Sequence, residues 1–203
     1  EGDPEPPWPL CRPFDVRRRG LVMGEGAALM VLEPLEKALA EGRKIYGEIL
    51  GYGASLDAGS LSAPDPGGSG AKRAMKAALK SAGLAPEAVD HLNAHGTGTL
   101  LNDAAEARAI REVFPHWPDM PVTAVKSLTG HAIAASGALE AAACLFTLER
   151  SLIPPNIGLE KAGPDCELNH AAGRAVPFQG SVILSNSFGF GGQNSSIIFR
   201  RFP

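Results

Sequence analysis

The chain has 203 residues and a formal net charge of −3, with 19 Lys and Arg against 22 Asp and Glu. This near balance gives no support for a nucleic acid or an anionic membrane as the partner. A hydrophobic content of 44% with 20% charged residues argues against disorder and predicts one domain, or slightly more than one.

The sequence shows no targeting or membrane segment. No apolar run reaches the roughly 18 residues that a membrane helix needs, and the first ten residues lack the basic and apolar regions of a signal peptide. The chain begins with Glu, so we expect it to start at a cut in a longer protein. Three widely spaced cysteines exclude a disulfide scaffold and favour a cytoplasmic protein.

The first part of the chain predicts two strands separated by a short helix. Residues 28–32 form an apolar run that is typical of a buried strand. Pro34 favours the first turn of a helix that continues to residue 40, with Gly42 as its cap. Residues 45–52 alternate apolar residues with Gly and Glu, which indicates another strand.

Helical and strand patterns then alternate. Residues 71–82 have apolar positions at helical spacing, and Gly83 is expected to end that helix. Residues 91–94 predict a short strand that leads directly into the motif HGTGT. Asp103 is a candidate cap for a helix that continues to residue 114.

The last part of the chain continues this alternation. Residues 122–125 predict a strand that precedes the motif KSLTGH, and residues 132–148 predict a long Ala-rich helix, apolar almost all round and therefore buried. Residues 182–185 and 196–199 predict two strands joined by a Gly-rich turn, NSFGFGGQN. The whole pattern predicts an α/β domain with a mixed sheet.

Three loops that follow predicted strands carry the candidate chemistry: HGTGT, KSLTGH and NSFGFGG. Ligands of open α/β sheets bind beyond the carboxyl ends of the strands. The glycines beside His95 let the backbone approach a ligand, and Thr97 and Thr99 offer hydroxyl groups. His131 is predicted at a helix N-terminus, where a neutral imidazole is favoured and can donate a hydrogen bond to an oxyanion.

Each motif also has a purely structural interpretation. His95 is compatible with a capping or core histidine, SLTGH with a helix cap, and FGFGG with a tight hairpin turn. The spacing of FGFGG is not that of the dinucleotide fingerprint. The two histidines lack a third ligand at zinc-site spacing, so we expect no metal. Lys126 needs an anionic partner, and whether it reaches Glu140 depends on the fold.

In this order, the motifs resemble those of the β-ketoacyl-[acyl-carrier-protein] synthases of the elongating, two-histidine type. The motifs are RPFD with GEGA, NAHGTGT with LND, KSLTGH with a following A-x-G-A-x-E, and NSFGFGG-x-N. The resemblance covers residues 12–202. It implies the thiolase-like fold, in which two similar halves stack as a five-layered α-β-α-β-α sandwich. Residues 1–44 would be the end of the first half. Residues 45–203 would be the second half, a mixed five-stranded sheet with helices on both faces.

The resemblance implies an acyltransferase that catalyses a decarboxylative Claisen condensation. An acyl chain is held as a thioester on a Cys of the first half, and malonyl on acyl carrier protein enters with its pantetheine arm along Thr97 and Thr99. His95 and His131 stabilise the enolate that decarboxylation releases, and its carbanion attacks the acyl thioester. The backbone N–H of Phe190 helps to form the oxyanion hole, and its ring gates the pocket.

The remaining site residues are assigned from the same resemblance. Lys126 and Glu140 match a buried pair that supports the histidines. Phe188 and Gly189 are assigned to substrate binding. Two acidic residues of the family lie behind the first histidine, and here they match Asp103 and Glu106. No cofactor is expected, because the phosphopantetheine is carried by the acyl carrier protein, which is a substrate.

The nucleophilic Cys is not expected in this chain. Cys11 lies in a Pro-rich stretch, Cys144 inside the Ala-rich helix and Cys166 in a loop, and none lies between a strand and a helix start. We therefore expect a half that is inactive alone. It would act with a missing first half and with acyl carrier protein, and would form a homodimer when complete. Two alternatives stay open: a non-catalytic, chain-length-determining subunit of a heterodimeric ketosynthase, and a standalone pantetheine-binding module.

Overall fold

The computed structural model describes residues 10–203, so the first nine residues of the Pro-rich N-terminus lie outside it. The α-helices of this part are α1 Leu35–Ala40, α2 Ser69–Ala82, α3 Leu100–Val113, α4 Lys126–Thr129 and α5 Ser136–Arg150. The strands are β1 Glu48–Leu56, β2 His91–Asn93, β3 Val122–Thr123, β4 Leu152–Ile153, β5 Val176–Pro177, β6 Val182–Gly189 and β7 Gln193–Arg200. Among these described helices, none has the length and apolar character needed to cross a membrane.

Five strands form one mixed sheet in the order β1-β7-β6-β2-β3. β7 pairs antiparallel with both β1 and β6, whereas β2 runs parallel to β6 and β3. β4 and β5 form a separate antiparallel pair. The predicted α/β domain with a mixed five-stranded sheet is confirmed. Because β2, β3 and β6 are parallel, their carboxyl ends lie at one edge of the sheet, and the three motif loops begin there.

The two faces of the sheet pack against different helices. On one face, Leu184 of β6 belongs to a core cluster with Met75 of α2 and Ile110 of α3. On the other face, the adjacent Ile183 belongs to a cluster with Leu148 of α5. Side chains alternate between the faces of a strand, so α2 and α3 cover one face and α5 covers the other. The predicted arrangement of helices on both faces is therefore confirmed.

The helix α2 lies very close to the edge strand β1. A Cβ atom added at Gly53 would lie 2.2 Å from the backbone oxygen of Ala74 in α2, so glycine is what allows this approach. The helix ends at Gly83, as predicted, with a left-handed φ of +66°. α2 is thereby fixed against the outer strand of the sheet.

The predicted strand at residues 28–32 is wrong. This segment has no strand pairing, and Leu29 is fully exposed while Val31 is 87% exposed. A strand needs a neighbour for its backbone N–H and C=O groups. No described strand lies beside this segment, although its apolar composition is that of a buried one.

The predicted Ala-rich helix begins later than expected. Residues 133–135 form a separate 3-10 turn, because Ile133 has a φ of +49°, outside the α-helical region. His131 therefore lies before this turn and not at the helix N-terminus. The predicted burial of the helix all round is also wrong, since Phe146 is 57% exposed. Phe146 and residues 29–32 line an open groove of about 720 Å³.

Candidate active site

A cavity of about 430 Å³ lies where the three motif loops meet. Its walls come from the loops after β2 and β3, from the turn between β6 and β7, and from residues that follow β1. The predicted site residues that line it are His95, Thr97, Thr99, His131, Phe188, Gly189 and Phe190. The other two, Lys126 and Glu140, lie behind this lining and are each 1% exposed.

The backbone of the HGTGT loop is held by a buried carboxylate of α3. Glu106 accepts hydrogen bonds from the N–H groups of His95 at 2.8 Å and Gly96 at 2.9 Å. The side-chain amide of Asn186 donates a third, at 3.1 Å. Burial raises the pKa of Glu106 to about 7, and these three hydrogen bonds oppose the rise. α3 thereby sets the position of the His95 backbone.

Asp103 is not the helix cap that the sequence predicts. The cap of α3 is Thr99, whose hydroxyl accepts the N–H of Asn102 at 3.3 Å. Asp103 lies in the first turn and accepts the N–H groups of Thr97 at 3.1 Å and Phe14 at 2.7 Å. Its carboxylate accepts loop N–H groups that have no acceptor in a helix or strand. It thereby ties residues 10–26, called here the N-terminal segment, to the HGTGT loop.

Lys126 has three buried acceptors for its three ammonium protons. Its Nζ donates to the backbone oxygen of His95 at 2.6 Å, lies 3.1 Å from Nδ1 of the same residue, and donates to the carboxylate of Glu140. An ammonium group only donates, so Nδ1 of His95 accepts and its ring proton is assigned to Nε2. α5 therefore brings Glu140 within reach of Lys126.

The backbone of His131 is held by the N-terminal segment. Its N–H donates to the oxygen of Val22 at 2.7 Å, and its own oxygen accepts the N–H of Gly24 at 3.0 Å. A Cβ atom at Gly24 would lie 2.1 Å from the backbone oxygen of Thr129. The segment approaches the KSLTGH loop this closely only because residue 24 is glycine.

The side chain of His131 is oriented by the 3-10 turn that follows it. The N–H of Ile133 donates to Nδ1 of His131 at 3.1 Å. A backbone amide only donates, so Nδ1 accepts and the ring proton is assigned to Nε2. A φ of +49° is rare for a β-branched residue, so backbone strain is stored directly beside this histidine.

The two imidazoles line one cavity as neutral groups. Their ring centroids are 5.5 Å apart and their planes are at 85°. Burial and the charge of Lys126 lower the pKa of His131 to about 4, and the same causes, with His131 itself, lower the pKa of His95 well below 6.5. The sequence predicted a neutral His131 from a helix N-terminus, whereas burial is the main cause here.

Each ring nitrogen Nε2 is without a hydrogen-bond partner among residues 10–203. The site therefore offers two neutral N–H donors to whatever occupies the cavity. Such a pair can stabilise negative charge that develops on one substrate oxygen, because the donors are already oriented and carry no charge of their own.

The turn between β6 and β7 supplies an apolar wall. The ring of Phe188 lies 5.4 Å from that of His95, between centroids. Phe190 lines the same cavity but is 73% exposed. Gly191 and Gly192 follow with φ of +82° and +78°, values that favour glycine.

Sequence reasoning missed the part of the wall that follows β1. Asp57 and residues 61–64 also line the cavity. The N–H of Asp57 donates to the oxygen of Gly192 at 2.7 Å, and the N–H of Gly191 donates to the oxygen of Leu61 at 2.7 Å. The Ser-, Pro- and Gly-rich composition of residues 62–70 predicts a loop, but it contains no signal for a contact with a turn so much later in the chain.

None of the three cysteines, all of which lie in the described part, lines the cavity. All are buried, and burial raises the pKa of each thiol, to about 12 for Cys144 and Cys166. Cys11 donates from Sγ to the backbone oxygen of Lys126 at 2.9 Å. A thiol must ionise to act as a nucleophile, so these three are poor candidates. Within residues 10–203, no three His, Cys, Asp or Glu side chains are grouped to hold a metal ion.

The family described as "Beta-ketoacyl synthase, C-terminal domain" matches residues 46–160, more than half of the chain. The chain belongs to this family. It is 46% identical over 197 residues to 3-oxoacyl-[acyl-carrier-protein] synthase 2 of Synechocystis sp., a match that covers 97% of this chain and 47% of the relative. The chain thus spans about half the length of the curated relatives it matches.

Solved ketosynthase structures share the fold of this β-ketoacyl synthase domain. "The ishigamide ketosynthase/chain length factor" is 42% identical with a TM-score of 0.91, and the match covers 96% of this chain and 47% of that one. A type II PKS acyl-carrier protein in complex with its ketosynthase bound to the hexaketide is 32% identical with a TM-score of 0.95, covering 100% and 50%. The expected thiolase-like fold is confirmed.

Proposed function

We propose that this chain is the C-terminal half of a 3-oxoacyl-[acyl-carrier-protein] synthase and supplies both histidines of its condensation reaction. The observation that carries the proposal is the pair of neutral imidazoles, His95 and His131, on one cavity. Each accepts a hydrogen bond at Nδ1 and so presents Nε2–H as a donor. The nucleophilic Cys and an acyl thioester on it are proposed to belong to a first half.

In the proposed first step, the thioester oxygen of malonyl-[acyl carrier protein] accepts hydrogen bonds from Nε2 of His95 and of His131. The bond between the methylene carbon and the carboxylate breaks, and carbon dioxide leaves. The electron pair of this bond stays with the methylene carbon and is shared with the thioester oxygen as an enolate. The enolate oxygen carries the new negative charge between the two donors. Loss of one such preoriented donor costs about 10² to 10³ in rate.

In the second step, the enolate carbon attacks the carbonyl of the acyl thioester. A carbon–carbon bond forms, the carbon–sulfur bond breaks, and the Cys leaves as a thiolate. The product stays on the carrier, two carbons longer. We propose that the N–H of Phe190 helps to hold the oxyanion of this step, while Phe188 and Gly189 line the path of the substrate.

The remaining residues would hold the substrate arm or the histidines. Thr97 and Thr99 line the cavity with their hydroxyls 3.0 Å apart, and we assign them to the pantetheine arm of the carrier protein. Lys126 and Glu140 form a buried pair behind His95. The ammonium group keeps Nδ1 of His95 as an acceptor. Burial lowers the pKa of both histidines, and the charge of this ammonium lowers it further.

Two observations support the need for a first half. The three cysteines are buried, away from the cavity, with raised pKa values. The apolar residues 29–32 and Phe146 of α5 border a groove that stays open in the described part of the chain. We propose that this face packs against the first half, with residues 1–44 as the end of that half and 45–203 as the second.

The alternative of a non-catalytic, chain-length-determining subunit takes support from the ketosynthase/chain length factor among the solved structures. A subunit without chemistry has no need for two histidines on one cavity that are held in the donor form by Lys126 and Ile133. The alternative of a standalone binding module requires a half that is stable alone, which the exposed side chains of Leu29, Val31 and Leu32 disfavour. The condensing half is therefore the better-supported function.

The test is His131→Ala in the full-length protein, meaning this chain together with the first half that precedes it. We expect malonyl decarboxylation to fall by about 10² to 10³, while transfer of an acyl group to the nucleophilic Cys is retained. Decarboxylation is followed as release of carbon dioxide, and acyl transfer as a mass increase of the protein. Loss of both steps together would mean that His131 is structural only. His116→Ala, a histidine that does not line the cavity, is the matched control.

A further inference from the structure

A second donor approaches Nδ1 of His131. Ser136 is the first residue of α5 and is buried, and its Oγ lies 3.0 Å from Nδ1 of His131. Ile133 already donates its N–H to the same nitrogen, at 3.1 Å. The ring nitrogen is therefore contacted from two sides by groups of the turn and helix that follow it.

The direction of the second hydrogen bond follows from the first. If Nδ1 carried a proton, it could donate to Ser136. The protonated Nδ1 would then face the N–H of Ile133, so that two donors would point at each other. With Nδ1 unprotonated, both neighbours donate to it, and this is the only arrangement in which neither is opposed. The Ser136 hydroxyl proton therefore points at His131.

Ser136 does not cap its own helix. Serine at the start of a helix commonly caps it by accepting a backbone N–H. Here the capping residue is Ala135, and no side chain caps α5. The hydroxyl of Ser136 is thus free of a capping role, and its hydrogen bond goes to the histidine instead.

We propose that Ser136 is a positioning residue for His131, holding the imidazole as an Nε2–H donor toward the cavity. The proposal rests on the function proposed above, because the donor is useful only if an oxyanion forms there. Ser136 itself does not line the cavity. Its effect passes through the ring of His131 alone.

The test compares Ser136→Ala with Ser136→Thr, which keeps the hydroxyl. In the full-length protein labelled with ¹⁵N-histidine, we expect the Nδ1 resonance of His131 to move in Ser136→Ala and to return in Ser136→Thr. In the full-length protein, we expect kcat for malonyl decarboxylation to fall about threefold to tenfold in Ser136→Ala, the effect of one lost hydrogen bond, with KM unchanged. Alanine suits a helix, so this variant should fold.

The control is Ser195→Ala, which removes a hydroxyl bonded to the backbone of Ser187 at 3.0 Å and should leave the His131 resonance in place. An unmoved Nδ1 resonance in Ser136→Ala would overturn the proposal, whatever the activity. A resonance that moves and is restored by threonine supports it even if decarboxylation is absent. In that case the proposed function fails and the role of Ser136 in orienting His131 stands.

Discussion

Nδ1 of both cavity histidines, His95 and His131, is contacted by a group that can only donate, the ammonium of Lys126 or the amide of Ile133. The tautomer of each ring follows from these contacts. Burial lowers the pKa of both imidazoles, the charge of the same ammonium lowers it further, and both rings stay neutral. The donor character of the site thus depends on a few atoms that lie behind the cavity wall.

The buried pair can be tested directly. Lys126→Met leaves the carboxylate of Glu140 buried without its cation, so we expect a loss of about 3–5 kcal/mol in the free energy of unfolding. The double variant Lys126→Met with Glu140→Leu should recover most of this stability but not malonyl decarboxylation. Urea unfolding of the full-length protein measures the first effect, and carbon dioxide release measures the second.

A matched control is Lys72→Met, since Lys72 pairs with the half-exposed Glu112 on the surface. That variant should lose less than about 1 kcal/mol. Equal losses from Lys72→Met and Lys126→Met would contradict the assignment of a special role to the buried pair.

For single residues, the type and order of the motif residues were enough to predict most of the candidate site. The motif order indicated the two histidines, the two threonines and residues 188–190 of the cavity lining, but not Asp57 and residues 61–64. The contact between Lys126 and Glu140 depends on how α4 and α5 pack. Asp103 was misassigned as a cap because a short acidic residue before a helical pattern has the same local signature as a buried acceptor. Which backbone donors it satisfies depends on the path of the HGTGT loop.

Among the elements, the N-terminal segment is the one that joins the site loops. Phe14 donates to Asp103, and residues 22–24 exchange hydrogen bonds with His131. A segment with little regular structure therefore connects the loop of the first histidine to that of the second. We expect its fit to control both stability and the position of His131.

Gly24→Ala tests this expectation. Its Cβ atom would lie 2.1 Å from the backbone oxygen of Thr129, so the segment must move away from His131. We expect a loss of about 1–3 kcal/mol in the free energy of unfolding, as for an overpacked core, measured by urea titration. Gly26→Ala is the control, because its Cβ would meet Leu139 at an ordinary 3.4 Å. If Gly26→Ala were as costly as Gly24→Ala, the close approach at Gly24 would not be the cause.

Most elements could be predicted from the sequence, and the failures have physical causes. The strands β6 and β7 extend into the predicted Gly-rich turn because they pair with each other as far as Gly189 and Gln193. α5 begins late because Ile133 takes a left-handed conformation that no local signal indicates. Residues 28–32 have the composition of a buried strand, yet pairing requires a partner from elsewhere, so periodicity alone cannot locate it.

For the molecule as a whole, the described part contains a five-stranded sheet with helices on both faces, and an open groove lies beside Phe146. The chain covers about half of its curated relatives. The cavity holds two neutral donors and no cysteine. These facts support the proposal that a first half supplies the nucleophile and covers the groove at residues 29–32.

The most direct test of this division is to map the acyl thioester after incubation with acyl-[acyl carrier protein], by peptide mass measurement. In the full-length protein, we expect one acyl group on a cysteine of the first half. In the isolated chain, we expect none in stoichiometric amount. Stoichiometric acylation of Cys11, Cys144 or Cys166 in the isolated chain would contradict the division of the active site between two halves.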